Sequence, residues 1–294
     1  MTTAEIFKNI RRIEIQSRKP VNQLFAGEYR SVFKGEGLEF HEVREYQPGD
    51  DIRSIDWNVT ARLGHPFVKK FIEERQRTIV LMIDVSGSQD FGSLNKSKNE
   101  IAAELAAILA FSAIKNNDLV GLLLFTDQVE KYIPPKKGKK HVMRIIRDIL
   151  YFRRQNPGTD LAQALRYFSR VQRKSAIVFL ISDFLGDDYE RPLAVTSRRH
   201  DLIPVMLKDR FERQFPSHDG LLQVEDPENG ELVVLDGGDK SLRERYDQLV
   251  ADEYKRKIKY FRSLKVDCLE ITTDGDYIKP LNLFFKRQQG KARR

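Results

Sequence analysis

Hydrophobic positions between residues 78 and 273 follow two alternating patterns. Short continuous runs rich in β-branched and aliphatic residues are typical of strands buried on both faces of a sheet, whereas apolar residues three or four apart indicate amphipathic helices. The predicted strands are 78–83, 119–125, 129–133, 176–182, 202–207 and 266–271, and the predicted helices are 96–116, 141–152, 160–173, 189–199 and 242–264. Alternating strands and helices predict an α/β fold, with a doubly wound, mostly parallel sheet that has helices on both faces.

Three segments depart from this pattern. Residues 221–235 contain two apolar runs around Pro227-Glu228-Asn229-Gly230, which predicts a β-hairpin insertion. Residues 1–75 are highly charged and contain no long apolar strand, so we predict an irregular N-terminal segment that packs on the main domain. Residues 286–294 carry five basic side chains and no acid, which favours a disordered basic tail. The predicted organisation is therefore 1–75, 76–285 and 286–294.

Composition narrows the class of protein. The chain has 294 residues, is 40% hydrophobic and contains one cysteine, which excludes a disulfide framework. It lacks an apolar run of the ~20 residues that a membrane-spanning helix needs, and its N-terminus lacks the uninterrupted apolar stretch of a signal peptide. We therefore expect a cytoplasmic protein.

The net charge of +8 is unevenly distributed. Residues 136–154 carry +7 and residues 286–294 carry +5, which leaves −4 on the remaining chain. Such basic runs are most often solvated surfaces, although a nucleic-acid binder that uses these two segments is an alternative, because positive charge attracts polyanions without specifying them.

Oxygen-bearing residues follow two of the predicted strands and precede one helix. Asp84, Ser86 and Ser88 follow the first strand, Asp183 follows the strand 176–182, and Thr159 precedes the helix 160–173. Each has an ordinary explanation by itself: a turn for the first three, an N-cap for Thr159 and a loop carboxylate for Asp183. Ligand sites of doubly wound sheets lie at the carboxyl ends of strands, however, so their joint occurrence favours one shared site.

The chemistry of this set indicates a hard divalent cation. Five oxygen ligands, of which two are anionic, suit Mg²⁺ or Mn²⁺, whereas a zinc site would use His or Cys at ligand spacing. With only two carboxylates the ion would keep residual positive charge, and an incoming carboxylate could complete its coordination.

The same residues resemble a known motif. Asp84-x-Ser86-x-Ser88 with Thr159 and Asp183 is similar to the metal-ion-dependent adhesion site of von Willebrand factor A domains, and the similarity extends to Gly158-Thr159-Asp160-Leu161 and Ile181-Ser182-Asp183. All five ligand positions are filled. The resemblance implies a von Willebrand factor A-like domain over roughly residues 76–275.

The N-terminal segment resembles a second family, the bacterial domain of unknown function fifty-eight. The matching residues are Gly35-x-Gly37-x-Glu39-Phe40, Arg44-x-Tyr46-x-x-Gly49-Asp50-Asp51-x-Arg53-x-x-Asp56-Trp57 and Thr60-Ala61-Arg62. That family joins this stretch to an A-like domain, and its members are commonly associated with MoxR-type AAA ATPases. The resemblance implies a non-enzymatic adaptor or chaperone-like partner of such an ATPase.

One charged cluster in this segment has two interpretations. It consists of Asp50, Asp51, Arg53, Asp56 and Trp57. Alternating charges around one tryptophan most often form a local packing and ion-pair motif, which is the interpretation that we favour. The alternative is a docking surface for the ATPase, with Trp57 as its aromatic anchor.

The leading functional hypothesis is a protein-interaction module with one bound divalent cation, to which a partner's Asp or Glu supplies the last ligand. The enzymatic alternative is a metal-dependent phosphohydrolase with Asp84 as ligand or nucleophile. A two-carboxylate hydrolase of this layout usually has Asp two residues further on, and this chain has Ser86. Whether a carboxylate of the chain itself closes the site stays open at this point.

Overall fold

The computed structural model describes residues 17, 21, 39–72, 76–92, 96–186, 188–215 and 220–292. The chain forms two compact units, one of Phe33–Arg77 and one of Thr78–Arg294 grouped with Met1–Val32. The predicted segment 1–75 therefore does not coincide with one unit, although the boundary after Arg77 lies two residues from its predicted end.

Ten strands are described, and six of them form the main sheet. They are β1 (Glu39–Glu45), β2 (Phe67–Ile72), β3 (Thr78–Asp84), β4 (Leu119–Phe125), β5 (Val129–Lys136), β6 (Ile177–Ser182), β7 (Asp201–Lys208), β8 (Leu221–Glu225), β9 (Leu232–Asp236) and β10 (Leu269–Thr272). The main sheet has the order β10-β7-β6-β3-β4-β5, and every pairing is parallel except that of β4 with β5. The predicted doubly wound, mostly parallel α/β fold is confirmed.

Helices cover both faces of this sheet. The described α-helices are α1 (Trp57–Leu63), α2 (Lys98–Lys115), α3 (Lys139–Leu150), α4 (Leu161–Val171), α5 (Glu190–Arg199), α6 (Arg210–Arg213), α7 (Lys240–Ser263) and α8 (Ile278–Ala292). Phe168 of α4, Leu193 of α5 and Phe261 of α7 share one buried cluster with Val80 and Met82 of β3. On the other face of the sheet, Phe179 of β6 packs against Phe285 of α8, and their ring centroids are 6.4 Å apart. Strands buried on both faces explain the continuous apolar runs.

The strand order fixes where a ligand site can form. From the centre of the sheet, β3, β4 and β5 follow one another in one direction, whereas β6, β7 and β10 follow in the other. The chain therefore reverses direction across the sheet between β3 and β6. In open α/β sheets the loops that leave two such strands enclose a crevice, which is the usual place for ligands.

The predicted insertion is a hairpin. Strands β8 and β9 pair antiparallel, from Leu221 opposite Asp236 to Glu225 opposite Leu232, and form a two-stranded sheet separate from the main one. Its turn is closed by hydrogen bonds from the backbone N–H of Asp226 to the carbonyl of Glu231 (2.9 Å) and from that of Gly230 to the carbonyl of Asp226 (2.8 Å).

The unit Phe33–Arg77 is more regular than the sequence predicts. Strands β1 and β2 pair antiparallel, and the short helix α1 lies between them in the chain. The prediction of an irregular segment is wrong here for two physical reasons. Four of the seven β1 residues are charged, and a register irregularity between Phe40 and Glu42 breaks the alternation that normally reveals a half-buried strand.

The predicted disorder of residues 286–294 is also wrong for the part that the structure describes. Helix α8 continues to Ala292. Leu281, Phe284 and Phe285 are buried and anchor its first half, and the Lys, Arg, Gln and Ala residues that follow have high helix propensity. None of the helices that the structure describes combines the length and the apolar character that a bilayer span requires.

A buried histidine in the core predicts a pH dependence of stability. The ring of His200 lies 4.9 Å from that of Phe168, and burial, with a smaller contribution from Arg199, lowers the pKa of His200 to about 4. The unfolded chain binds this proton near pH 6.5, so we expect the free energy of unfolding to fall as the pH drops from 6.5 to 4. Urea unfolding at both pH values should show that His200→Leu removes roughly 2–3 kcal/mol of this fall. A decrease as large as that of the wild type would contradict the prediction.

Candidate metal site

The site begins with two neighbouring strand ends. Strands β3 and β6 pair in parallel up to Ile83 opposite Ile181, so the next residues, Asp84 and Ser182, lie side by side. The Ser182 hydroxyl donates a hydrogen bond to Oδ2 of Asp84 at 2.7 Å, and its oxygen accepts one from the backbone N–H of Phe184 at 3.0 Å. The fold therefore delivers Asp84 and Asp183 to the same point of the sheet edge.

Four of the five sequence-predicted ligands form a continuous chain of hydrogen bonds. The backbone N–H of Ser86 donates to Oδ1 of Asp84 at 3.0 Å, and the hydroxyl oxygens of Ser86 and Ser88 are 3.2 Å apart. The Ser88 hydroxyl then donates to Oδ2 of Asp183 at 2.9 Å. All four residues are buried. The predicted convergence of Asp84, Ser86, Ser88 and Asp183 is what the structure contains.

Thr159 reaches the site on a third loop. The backbone N–H of Gly87 donates to the carbonyl of Pro157 at 2.6 Å, which brings the 157–159 loop beside the loop that follows β3. Thr159 is not the N-cap of helix α4, because the Asp160 carboxylate caps it by accepting from the backbone N–H of Gln163 at 2.7 Å. The Thr159 hydroxyl instead donates to Oε1 of Glu228, on the turn of the β8–β9 hairpin, at 2.6 Å.

The buried carboxylates repel each other. Burial, followed by repulsion from Asp183, raises the pKa of Asp84 to about 7. Asp183 has a partner, because the ammonium of Lys98 lies 2.7 Å from its Oδ2 and 2.5 Å from Oε1 of Glu212. Burial lowers the pKa of Lys98, but attraction to Asp183 and Glu212 outweighs this effect and raises the pKa above its ordinary value. The site therefore contains one cationic side chain of its own.

Lys98, Glu212 and Glu228 were not predicted from the sequence. Lys98 is the first residue of α2, where a positive charge opposes the helix dipole, and that anomaly was the one available signal. Glu212 caps the four-residue helix α6 by accepting from the backbone N–H of Asp209, which is an ordinary local role. Glu228 lies in a turn where polar residues are expected.

The site opens onto a cavity of about 750 Å³. Ser88, Thr159, Glu212 and Glu228 line it together with apolar side chains that include Phe91, Leu185, Phe211, Phe215, Leu222 and Tyr246. Asp84 and Ser86 are fully buried behind this opening. A molecule that approached through the cavity would meet hydroxyls and carboxylates at its end and apolar surface along its sides.

The donor set fits a small hard cation. Across the described residues, no group of three or more His, Cys, Asp and Glu side chains could hold a metal ion, so a metal here has to rely on hydroxyl oxygens as well. The linked oxygens of Asp84, Ser86, Ser88 and Asp183 provide such donors, and the Asp84–Asp183 repulsion is what a bound cation would relieve. These residues would hold Mg²⁺ or Mn²⁺, with Thr159 as the fifth donor.

The predicted docking cluster lies in the unit Phe33–Arg77 and consists of Asp50, Asp51, Arg53, Asp56 and Trp57. Asp50 pairs with Arg44 at 2.7 Å, and hydrogen bonding from that guanidinium lowers its pKa. Asp51 caps the 3-10 helix Ile52–Ser54, and Asp56 caps α1. These local roles account for the acidic residues. The Trp57 side chain, in contrast, is 67% exposed.

Comparison with known proteins identifies the family. A family model described as "Protein of unknown function DUF58" matches residues 42–256. The uncharacterized protein Rv1480 of Mycobacterium tuberculosis is 29% identical over 278 residues, which cover 94% of this chain and 87% of that protein. Among solved structures, BatB from Bacteroides thetaiotaomicron is 15% identical, covers 73% of this chain and 99% of its own, and has a TM-score of 0.46. The SpRpn10 VWA domain is 10% identical, covers 71% and 94%, and has a TM-score of 0.40. Because the family model matches most of this chain, the chain belongs to the DUF58 family, as its N-terminal motifs predict.

Proposed function

We propose that this protein is a non-enzymatic interaction module that binds one Mg²⁺ or Mn²⁺ ion through Asp84, Ser86, Ser88, Thr159 and Asp183. The observation that carries the proposal is the hydrogen-bonded chain that links the buried residues Asp84, Ser86, Ser88 and Asp183 at the ends of β3 and β6. The bound ion would supply a positive centre that an acidic side chain of a partner can complete. Ser88 and Thr159 line the cavity through which such a side chain would arrive.

The geometry supports interaction more than phosphoryl chemistry. A nucleophilic or acid–base carboxylate has to reach the reacting atom, within about 3 Å in a productive complex. Asp84 is fully buried, and each of its two carboxylate oxygens already accepts a hydrogen bond. The phosphohydrolase interpretation also needs an acid two residues after Asp84. That position holds Ser86, which is fully buried as well.

The proposed partner is a MoxR-type AAA ATPase, acting with this protein in the maturation of other proteins or complexes. This choice comes from the family resemblance of the N-terminal motifs. The exposed Trp57 is a suitable aromatic anchor for such a partner, because large aromatic side chains carry a disproportionate share of interface energy.

The proposal predicts metal-dependent association. With the purified ATPase as bait, we expect wild-type protein to bind in Mg²⁺ and to lose at least tenfold in affinity in EDTA, because an open metal position would anchor the partner carboxylate. Asp84→Ala should bind equally weakly in both conditions. The control is Asp274→Ala, which removes an exposed carboxylate just beyond β10, and it should behave like wild type. Equal binding of wild type and Asp84→Ala, with and without EDTA, would exclude this mechanism.

A further inference from the structure

The turn of the β8–β9 hairpin lies against the candidate metal site. An ideal Cβ placed on Gly87 would lie 2.0 Å from the carbonyl oxygen of Pro227, so only glycine allows the hairpin to approach this closely. One residue further along, the Glu228 carboxylate accepts the hydrogen bond from Thr159 at 2.6 Å. The turn therefore contacts two of the three loops that form the site.

The backbone of the turn sets the position of Glu228. Its N–H donates to Oδ1 of Asp226 at 2.8 Å, and Pro227, immediately before it, has a restricted φ. The carboxylate is half-buried and lines the same cavity as Ser88 and Thr159. It thus occupies the approach that an acidic residue of a partner would use.

The environment of Glu228 is unusual for a glutamate in a turn. A turn glutamate normally extends into water, where its charge is solvated. Here the glutamate is half-buried and bonded to Thr159, at the edge of a site that contains two further carboxylates, and a bound cation would stabilise such an arrangement.

We propose that Glu228, which bonds Thr159 in this structure, turns to the ion when the ion binds and closes the candidate metal site as an intramolecular ligand, so that an incoming carboxylate has to displace it. This inference rests on the proposed function, because it concerns the open position of the same site. The hairpin is suited to such displacement. Among the residues that the structure describes, its two strands pair with each other and with no other strand, and several of their apolar side chains are exposed. Isolated two-stranded hairpins are marginally stable in water.

The test uses Mn²⁺ alone as the probe and the full-length chain. Free Mn²⁺ measured by electron paramagnetic resonance gives the dissociation constant, and water proton relaxation reports how many water molecules the bound ion holds. Glu228→Gln should raise the dissociation constant on the order of tenfold and add one exchangeable water to the ion. Acetate, a minimal carboxylate, should then bind the ion at lower concentrations in Glu228→Gln, where it displaces that water, than in wild type, where it has to displace Glu228.

The matched control is Glu231→Gln, which removes the same charge from an exposed position three residues further along the turn. We expect it to reproduce the wild-type affinity and hydration. If Glu228→Gln also matched wild type while Asp84→Ala abolished Mn²⁺ binding, the closing role of Glu228 would be overturned and the proposed metal site would stand. Absence of Mn²⁺ binding by the wild type would overturn both.

Discussion

We expect Lys98→Met to lower the free energy of unfolding by about 3–5 kcal/mol when no divalent cation is present. The Lys98 ammonium is completely buried and pairs with Asp183, which is also buried, and with Glu212. Methionine has a similar length but no charge, so the variant leaves the Asp183 carboxylate in a low-dielectric environment without its cation. Losing one partner of a buried ion pair is costly for this reason. Urea unfolding followed by circular dichroism in EDTA measures the change.

Two further variants separate this effect from a general loss of packing. Lys96→Met removes a cation two residues earlier, whose partner Glu104 lies 2.7 Å away but whose own side chain is 41% exposed, and this change should cost at most about 1 kcal/mol. Lys98→Met combined with Asp183→Asn removes both members of the buried pair and should recover part of the lost stability. Additive losses in the double variant would show that the ion pair is not the cause.

The sheet could be predicted from the sequence because its signals are local. The runs within Thr78–Asp84 and Leu119–Phe125 are short and continuously apolar, and polar residues bound them. Four metal-site candidates could be predicted for a related reason, since Asp84, Ser86, Ser88 and Asp183 end or directly follow strands that the fold places side by side. Local pattern and sheet topology together determine their position.

The other site residues depend on contacts between distant parts of the chain. Lys98 is 85 residues from Asp183 and 114 from Glu212, and Thr159 is 69 residues from Glu228. Lys98 begins a helix, and Glu228 follows a strand of the separate hairpin instead of a strand of the main sheet, so the strand-end rule selects neither of them. Whether a glutamate in a hairpin turn faces water or a second loop is decided by tertiary packing, here by the close approach of Pro227 to Gly87.

We expect Asp84→Asn to abolish the stabilisation that Mn²⁺ gives the wild type. A cation that binds only the folded state at one hundred times its dissociation constant adds about 2.7 kcal/mol, which corresponds to roughly 5–10 °C in melting temperature for a domain of this size. Asparagine keeps an oxygen for the backbone N–H of Ser86 and can donate to the Ser182 hydroxyl oxygen, so the local hydrogen bonds survive. What is lost is one of the two anionic metal ligands. Differential scanning fluorimetry with increasing Mn²⁺ measures the effect.

Without metal, Asp84→Asn should be at least as stable as the wild type at pH 8. This comparison distinguishes the loss of a metal ligand from misfolding. The raised pKa of Asp84, about 7, means that folding disfavours its ionised form, because the carboxylate is buried and Asp183 repels it. At pH 8 the unfolded chain ionises Asp84 freely, so the wild type folds against this cost and the asparagine variant does not. Asp274→Asn, which changes an exposed carboxylate, should keep the full response to Mn²⁺. A melting temperature of Asp84→Asn that still rose with Mn²⁺ would show that the cation binds elsewhere on the protein.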